Sequence, residues 1–125
     1  MSTQYFVYVQ FSFVHFHSWP DAPDEYAYLR EVHRHQFFVT VQQFVGGSNR
    51  EIEVNNLQAQ LVRFCEKEFG PYPEEATTYS CEQIAEKIVS LYQGDYPTIV
   101  TVLEDNLQGG GVVTNDHPAY RPSTD

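Results

Sequence analysis

Apolar positions alternate along residues 4–14. Tyr5, Val7, Val9, Phe11 and Phe13 share one parity, and Phe6, Tyr8, Gln10, Ser12 and Val14 share the other. A period of two marks a strand, here one that is more apolar on one face. It ends at His15. Residues 18–32 carry Pro20, Pro23, Asp21, Asp24 and Glu25, the composition of a loop, with room for a helical turn between Glu25 and Val32. A second strand spans 36–45, where Phe37, Phe38, Val39, Thr40 and Val41 are aromatic or β-branched. Gly46-Gly47-Ser48-Asn49 closes it, and the short segment Glu51-Ile52-Glu53-Val54 offers a hairpin partner.

The period then changes. Leu57, Leu61, Phe64, Cys65 and Phe69 make one apolar stripe at helical spacing, with Asn55 or Asn56 as the cap and Gly70 as the stop. After a loop over 70–79, Ser80 and Gln83 have the spacing of a capping box. Cys81, Ile84, Ala85, Ile88, Leu91 and Tyr92 form the apolar face of this second helix, and Gly94 ends it. Residues 97–104 read as a strand. Gly109-Gly110-Gly111 precedes a short strand around Val112 and Val113, and the tail from about 114, with Pro118 and Pro122, reads as edge or loose. The order is β-β-(short β)-α-α-β-β in a single domain over 1–125. It predicts an α+β fold, an antiparallel four-stranded sheet with both helices on one face.

Composition narrows the function. Hydrophobic residues make up 42% of the 125 and aromatics 15%, enough for one core. The net charge is -10 with only seven Lys and Arg, which argues against nucleic acid and against an anionic membrane surface as partners. No apolar run is long enough to span a bilayer, and the N-terminus has no signal-peptide pattern. Cys65 and Cys81 fall on core-facing helical positions and read as buried free thiols, so the expected compartment is the cytoplasm.

Four of the five histidines form two His-x-His pairs, His15 with His17 and His33 with His35. Residues two apart on a strand point the same way, so each pair presents two imidazoles side by side at a strand end. A surface pair on a strand explains either one alone. Two pairs point to a metal, because neutral imidazole is a common zinc ligand and three of them leave an open coordination position.

The element order resembles the T-fold (tunnelling fold), and within it the motifs look like those of the 6-pyruvoyl and 6-carboxy tetrahydropterin synthases. Phe11-Ser12-Phe13-Val14-His15 resembles that family's F-x-A-A-H, and His33-Arg34-His35 resembles its H-G-H, with Arg34 in place of Gly. Glu53-Val54-Asn55-Asn56-Leu57 sits where the family has D-F-x-x-L. Ser80-Cys81-Glu82-Gln83-Ile84-Ala85 resembles T-x-E-N-L-A, and Val100-Thr101-Val102-Leu103-Glu104-Asp105 resembles V-x-V-x-E-T. The resemblance covers most of the chain in order.

It implies zinc held by His15, His33 and His35, and a pterin ring anchored by Glu104. The substrate class it implies is a reduced pterin such as dihydroneopterin triphosphate. It also implies a homo-oligomer, a trimer or hexamer, closed edge to edge. Trp19 is a candidate to stack on the ring. Two parts of the family pattern are missing. Leu29 stands where the family has its catalytic Cys, and residues 70–79 hold neither His nor Asp where the family has an Asp-His pair. Glu25, Glu31 and His17 are the nearby proton-transfer candidates, of which His17 is also a candidate fourth imidazole beside the metal. The expectation is therefore a zinc-dependent, pterin-transforming lyase of altered or weak activity. The alternative is a T-fold homologue that binds a pterin, a purine-like ligand or a partner protein without turnover.

Overall fold

The structure is a computed structural model, and it describes residues 3–50, 52–69, 78–91 and 97–114. Strand β1 (Tyr5–His17) and strand β2 (His33–Val45) pair antiparallel, with Phe13 opposite Phe37 and Val9 opposite Val41. Strand β3 (Thr98–Glu104) pairs with β2, and strand β4 (Gln108–Thr114) pairs with β3. The four strands form one antiparallel sheet in sequence order. Helices α1 (Val54–Glu68) and α2 (Cys81–Val89) lie between β2 and β3 in the chain. The fold is the expected α+β arrangement, in the order ββααββ.

One sheet face carries the core. Val9, Phe13, Phe37, Val39, Val41, Val100 and Val102 point toward the helices. Leu57, Leu61 and Cys65 from α1 and Cys81, Ile84, Ala85 and Ile88 from α2 meet them. Burying a side chain such as Phe37 contributes about 1.5–3 kcal/mol, so this face dominates the stability. Phe69, one residue past α1, stacks on Phe13, while Cys81, the first residue of α2, lies beside Glu104 at the end of β3. The chain thus leaves α1 and enters α2 at the same end of the sheet. Both cysteines are buried and free, as expected. No helix among the described residues is long and apolar enough to cross a membrane.

Several local outcomes differ from the sequence reading; β2 begins at His33, three residues before the expected 36, and α2 ends at Val89, which leaves Leu91 exposed beyond the helix and off its apolar face. The first strand runs on through His15 to His17 instead of stopping. The expected short strand is absent at Ile52 and Glu53, which lead straight into α1. Glu53, not an asparagine, caps α1 by accepting the Asn56 N–H at 2.8 Å. A carboxylate suits that end, where the helix dipole is positive. Finally, Gly109, Gly110 and Gly111 lie inside β4 and do not precede it. Gly110 faces α2, and a Cβ there would stand 2.2 Å from Glu82 Oε1. The hairpin turn before β4 uses left-handed backbone at Asp105 and Asn106, residue types that tolerate it. The helical turn expected in the 18–32 loop is a 3-10 helix at Asp24–Arg30. Glu51, Gly70 and the loop that follows it, Tyr92, Gly94 and the tail beyond Thr114 lie outside the described residues.

The capping box is present as read. Ser80 Oγ accepts the Gln83 N–H at 3.1 Å, and Gln83 Oε1 accepts the Ser80 N–H at 2.9 Å. Replacing Ser80 by Ala should lower stability by about 1 kcal/mol. Urea unfolding should show this as a lower midpoint at unchanged slope.

Candidate metal and ligand site

The residues with chemistry gather at one end of the sheet. His15 lies opposite His35 across the β1–β2 ladder, and His17 lies opposite His33. These four share the parity of Phe13 and Phe37, so all point to the helix-covered face. Glu104 shares the parity of Val100 and Val102 and points to that face as well. Arg34 falls on the other parity and is exposed.

Three of the imidazoles come together. The ring centroids of His33 and His35 are 4.7 Å apart, those of His17 and His33 5.2 Å, and those of His17 and His35 6.4 Å. His17 Nδ1 and His33 Nε2 stand 3.3 Å apart. His15 lies one step deeper. It is 2% exposed, with its ring 5.8 Å from Phe69 and 6.5 Å from Phe37.

Each ring of the cluster is held by an oxygen. His33 Nδ1 donates to the Glu31 carbonyl at 2.8 Å. His35 Nδ1 donates to Asp105 Oδ2 at 2.7 Å. His17 donates to the Tyr79 carbonyl. Burial, then the neighbouring His33, holds His17 below the ordinary imidazole range, so its ring is neutral at neutral pH. The His35 bond, together with the Gln36 N–H, holds the Asp105 carboxyl below its ordinary range. Metal-bound histidines have this second shell, a carbonyl or carboxylate on the far nitrogen that fixes ring and tautomer.

The donor set fits zinc. Two nitrogens on a tetrahedral zinc, each at about 2.0–2.1 Å, are separated by about 3.3 Å, the distance found between His17 and His33. His35 completes a three-imidazole set, its Nε2 standing 3.9 Å from Glu104 Oε2. Among the described residues no three such side chains are yet drawn to one point. Loading would require the rings to close on the ion.

Beside the cluster lies a cavity of about 560 Å³, lined by His17, Trp19, Ser80, Cys81, Glu82, Glu104, Gln108 and Gly109. That volume is in the range of small-molecule sites. Glu104 forms part of its wall, and Cys81 Sγ donates to Glu104 Oε1 at 3.9 Å. Burial, then Glu104 and Glu82, pushes the Cys81 thiol up to about 12, which leaves it a neutral donor. Trp19 is 43% exposed at the cavity. Its backbone N–H donates to the Leu29 carbonyl at 2.8 Å, tying the loop after β1 to the 3-10 helix.

Of the residues expected at a site, the fold brings together His17, His33, His35, Glu104 and Trp19. It sets His15 behind them. Glu31 contributes its carbonyl, while its side chain is exposed, as is that of Glu25. Sequence reasoning missed the roles of Asp105 and of the Tyr79 carbonyl, and it read Cys81 only as core. The Asp-Asn pair after Glu104 is a turn signal that would have put Asp105 at this end of the sheet. A carbonyl leaves no sequence signal.

Comparison with known families finds none that matches the chain, and comparison with curated proteins finds no match either.

Thiol reactivity checks the electrostatics. Cys65 is also pushed up to about 12, chiefly by burial. Against an ordinary value of 9.0, both thiols are ionised roughly a thousandfold less at neutral pH. Iodoacetamide should therefore leave the native protein unlabelled over a time that fully labels it in urea.

Proposed function

We propose that this chain is a zinc-binding T-fold protein that takes a reduced pterin. In this reading it is most like the 6-carboxy and 6-pyruvoyl tetrahydropterin synthases, which act on dihydroneopterin triphosphate. The observation that carries the reading is the strand-end imidazole cluster with an oxygen behind each ring. His33 and His35 hold the ion, and β1 supplies the third imidazole from its His15–His17 pair. Zinc so bound supplies Lewis-acid stabilisation to a substrate oxygen.

The remaining roles belong to the cavity. A pterin offers adjacent N–H donors on its amino-pyrimidine edge. Glu104 accepts them as paired hydrogen bonds. The Cys81 thiol keeps one carboxylate oxygen in place. Trp19 offers a ring face at the cavity.

Binding with little turnover is the second reading, and Cys81 favours it. The cavity's thiol is held protonated, so it is a poor base. The Glu31 side chain is exposed, and the His17 Nδ1 already faces His33. A missing general acid or base typically costs about a hundred- to ten-thousandfold in rate.

The T-fold assignment also bears on assembly. Strands β1 and β4 are the sheet edges, and with every pairing antiparallel they run opposite to each other. One subunit's β4 therefore continues the sheet on the next subunit's β1. Unpaired edges of this length need cover. The outer sheet face supports the same view, with Phe6 52% and Tyr8 50% exposed. The assembly proposed is a closed ring, a trimer or a hexamer, in the cytoplasm.

Two experiments test this reading. Calorimetry should show dihydroneopterin triphosphate binding to the zinc-loaded protein, with synthase turnover weak. Glu104→Ala should weaken that binding by about ten- to a hundredfold, because the pterin donors lose their acceptor. No binding by the parent, or equal binding by the variant, would remove pterin from consideration. Sedimentation at micromolar concentration should give a trimer or hexamer, and a monomer alone would contradict the ring.

A further inference from the structure

We propose that the third metal ligand is His17, and that His15 is a residue of the core. This deepens the zinc reading above and rests on it. Spacing does not separate the two, since a phenylalanine stands four residues before each, Phe11 before His15 and Phe13 before His17. Register does not separate them either. His17 faces His33 and His15 faces His35, so either could complete an L of three imidazoles.

Ring orientation separates them. A neutral imidazole has one N–H. His33 spends its own on the Glu31 carbonyl, and His17 is bonded to the Tyr79 carbonyl. The nitrogens that face each other, His17 Nδ1 and His33 Nε2, stand 3.3 Å apart, within hydrogen-bond distance. That separation is also about that of two nitrogen ligands on one tetrahedral zinc, so an ion can take the place of the proton the two rings share.

Position gives the same answer. His17 lines the cavity together with Glu104, so a metal on its ring opens onto the space where a ligand fits. His15 lies among aromatic rings instead. Phe13 stacks on both Phe37 and Phe69 at 5.5 Å, and the His15 ring sits against Phe37 and Phe69. That is the environment of a packed core histidine. A ligand in use needs an approach from the cavity side.

Cobalt(II) titration of the full chain, read by visible absorption, and zinc content after purification test this together. The parent should bind one ion per subunit. His17→Ala should weaken binding by about a hundredfold or more, since even losing a ligand's supporting partner costs ten- to a hundredfold. His15→Phe should keep the parent's affinity within a few-fold. Cysteine variants give a second readout. His17→Cys should add a thiolate-to-cobalt charge-transfer band, and His15→Cys should not. Should His15→Phe fail to fold, the cysteine pair decides. A band from His15→Cys and none from His17→Cys would overturn the assignment and leave the zinc reading standing. So would loss of metal from a folded His15→Phe with retention by His17→Ala. A parent that takes up neither zinc nor cobalt would overturn both.

Discussion

The site depends on one constraint, the register of β1 against β2. Side chains on a strand alternate faces, so a slip of one residue would turn every core residue of a strand outward. Phe13 opposite Phe37 fixes the register from the core side. Those two rings stack, and Phe69 closes on Phe13 from the end of α1. With that rung set, the rungs beyond it follow, and they carry His15 with His35 and His17 with His33. The hydrophobic face and the imidazole cluster are the same alternation read at different depths. Apolar burial supplies the energy, and the polar groups at the rim take the geometry it dictates.

Much of this was legible in the chain. Period two marked the strands, period 3.6 marked the helices, and the spacing of Ser80 and Gln83 located the start of α2. The places where reading failed share a physical cause, dependence on partners remote in sequence. Glu53 rather than Asn55 or Asn56 caps α1 because the chain enters the helix directly from Ile52. The triple glycine looks like a loop, but β4 pairs with β3 and Gly110 admits the Glu82 side chain. His15 and His17 have the same parity, and each has a phenylalanine four residues before it. Only the position of Phe69, brought by a helix some fifty residues on, sets one among aromatics and leaves the other at the cavity. The anchoring carbonyls of Glu31 and Tyr79 belong to the backbone, and no residue type announces them.

The electrostatics of the cluster follow from its place at the rim. Full burial would cost each polar group its hydration, and full exposure would let water compete for it. Here each ring nitrogen that points away from the cluster meets a carbonyl or a carboxylate. Burial disfavours charge on His17, which keeps a lone pair available without a dedicated base. The same low polarity keeps the Cys81 thiol protonated beside Glu104, so that carboxylate gains a donor and not a rival anion. Hydrogen bonds in such surroundings are stronger than in water, and they hold side chains that would otherwise sample several rotamers.

The β3–β4 turn has a consequence beyond chemistry. Hairpin tips usually accept inserted residues, because nothing inside the protein depends on them. This one holds Asp105 in left-handed backbone, and that carboxylate steadies His35 while accepting the Gln36 N–H. An inserted tag, epitope or new chain terminus there would separate two strands' worth of contacts at once. The segment from Gly46 to Arg50 lies at the far end of the sheet from the imidazole cluster. A circular permutant or a labelled version of this protein is better opened there.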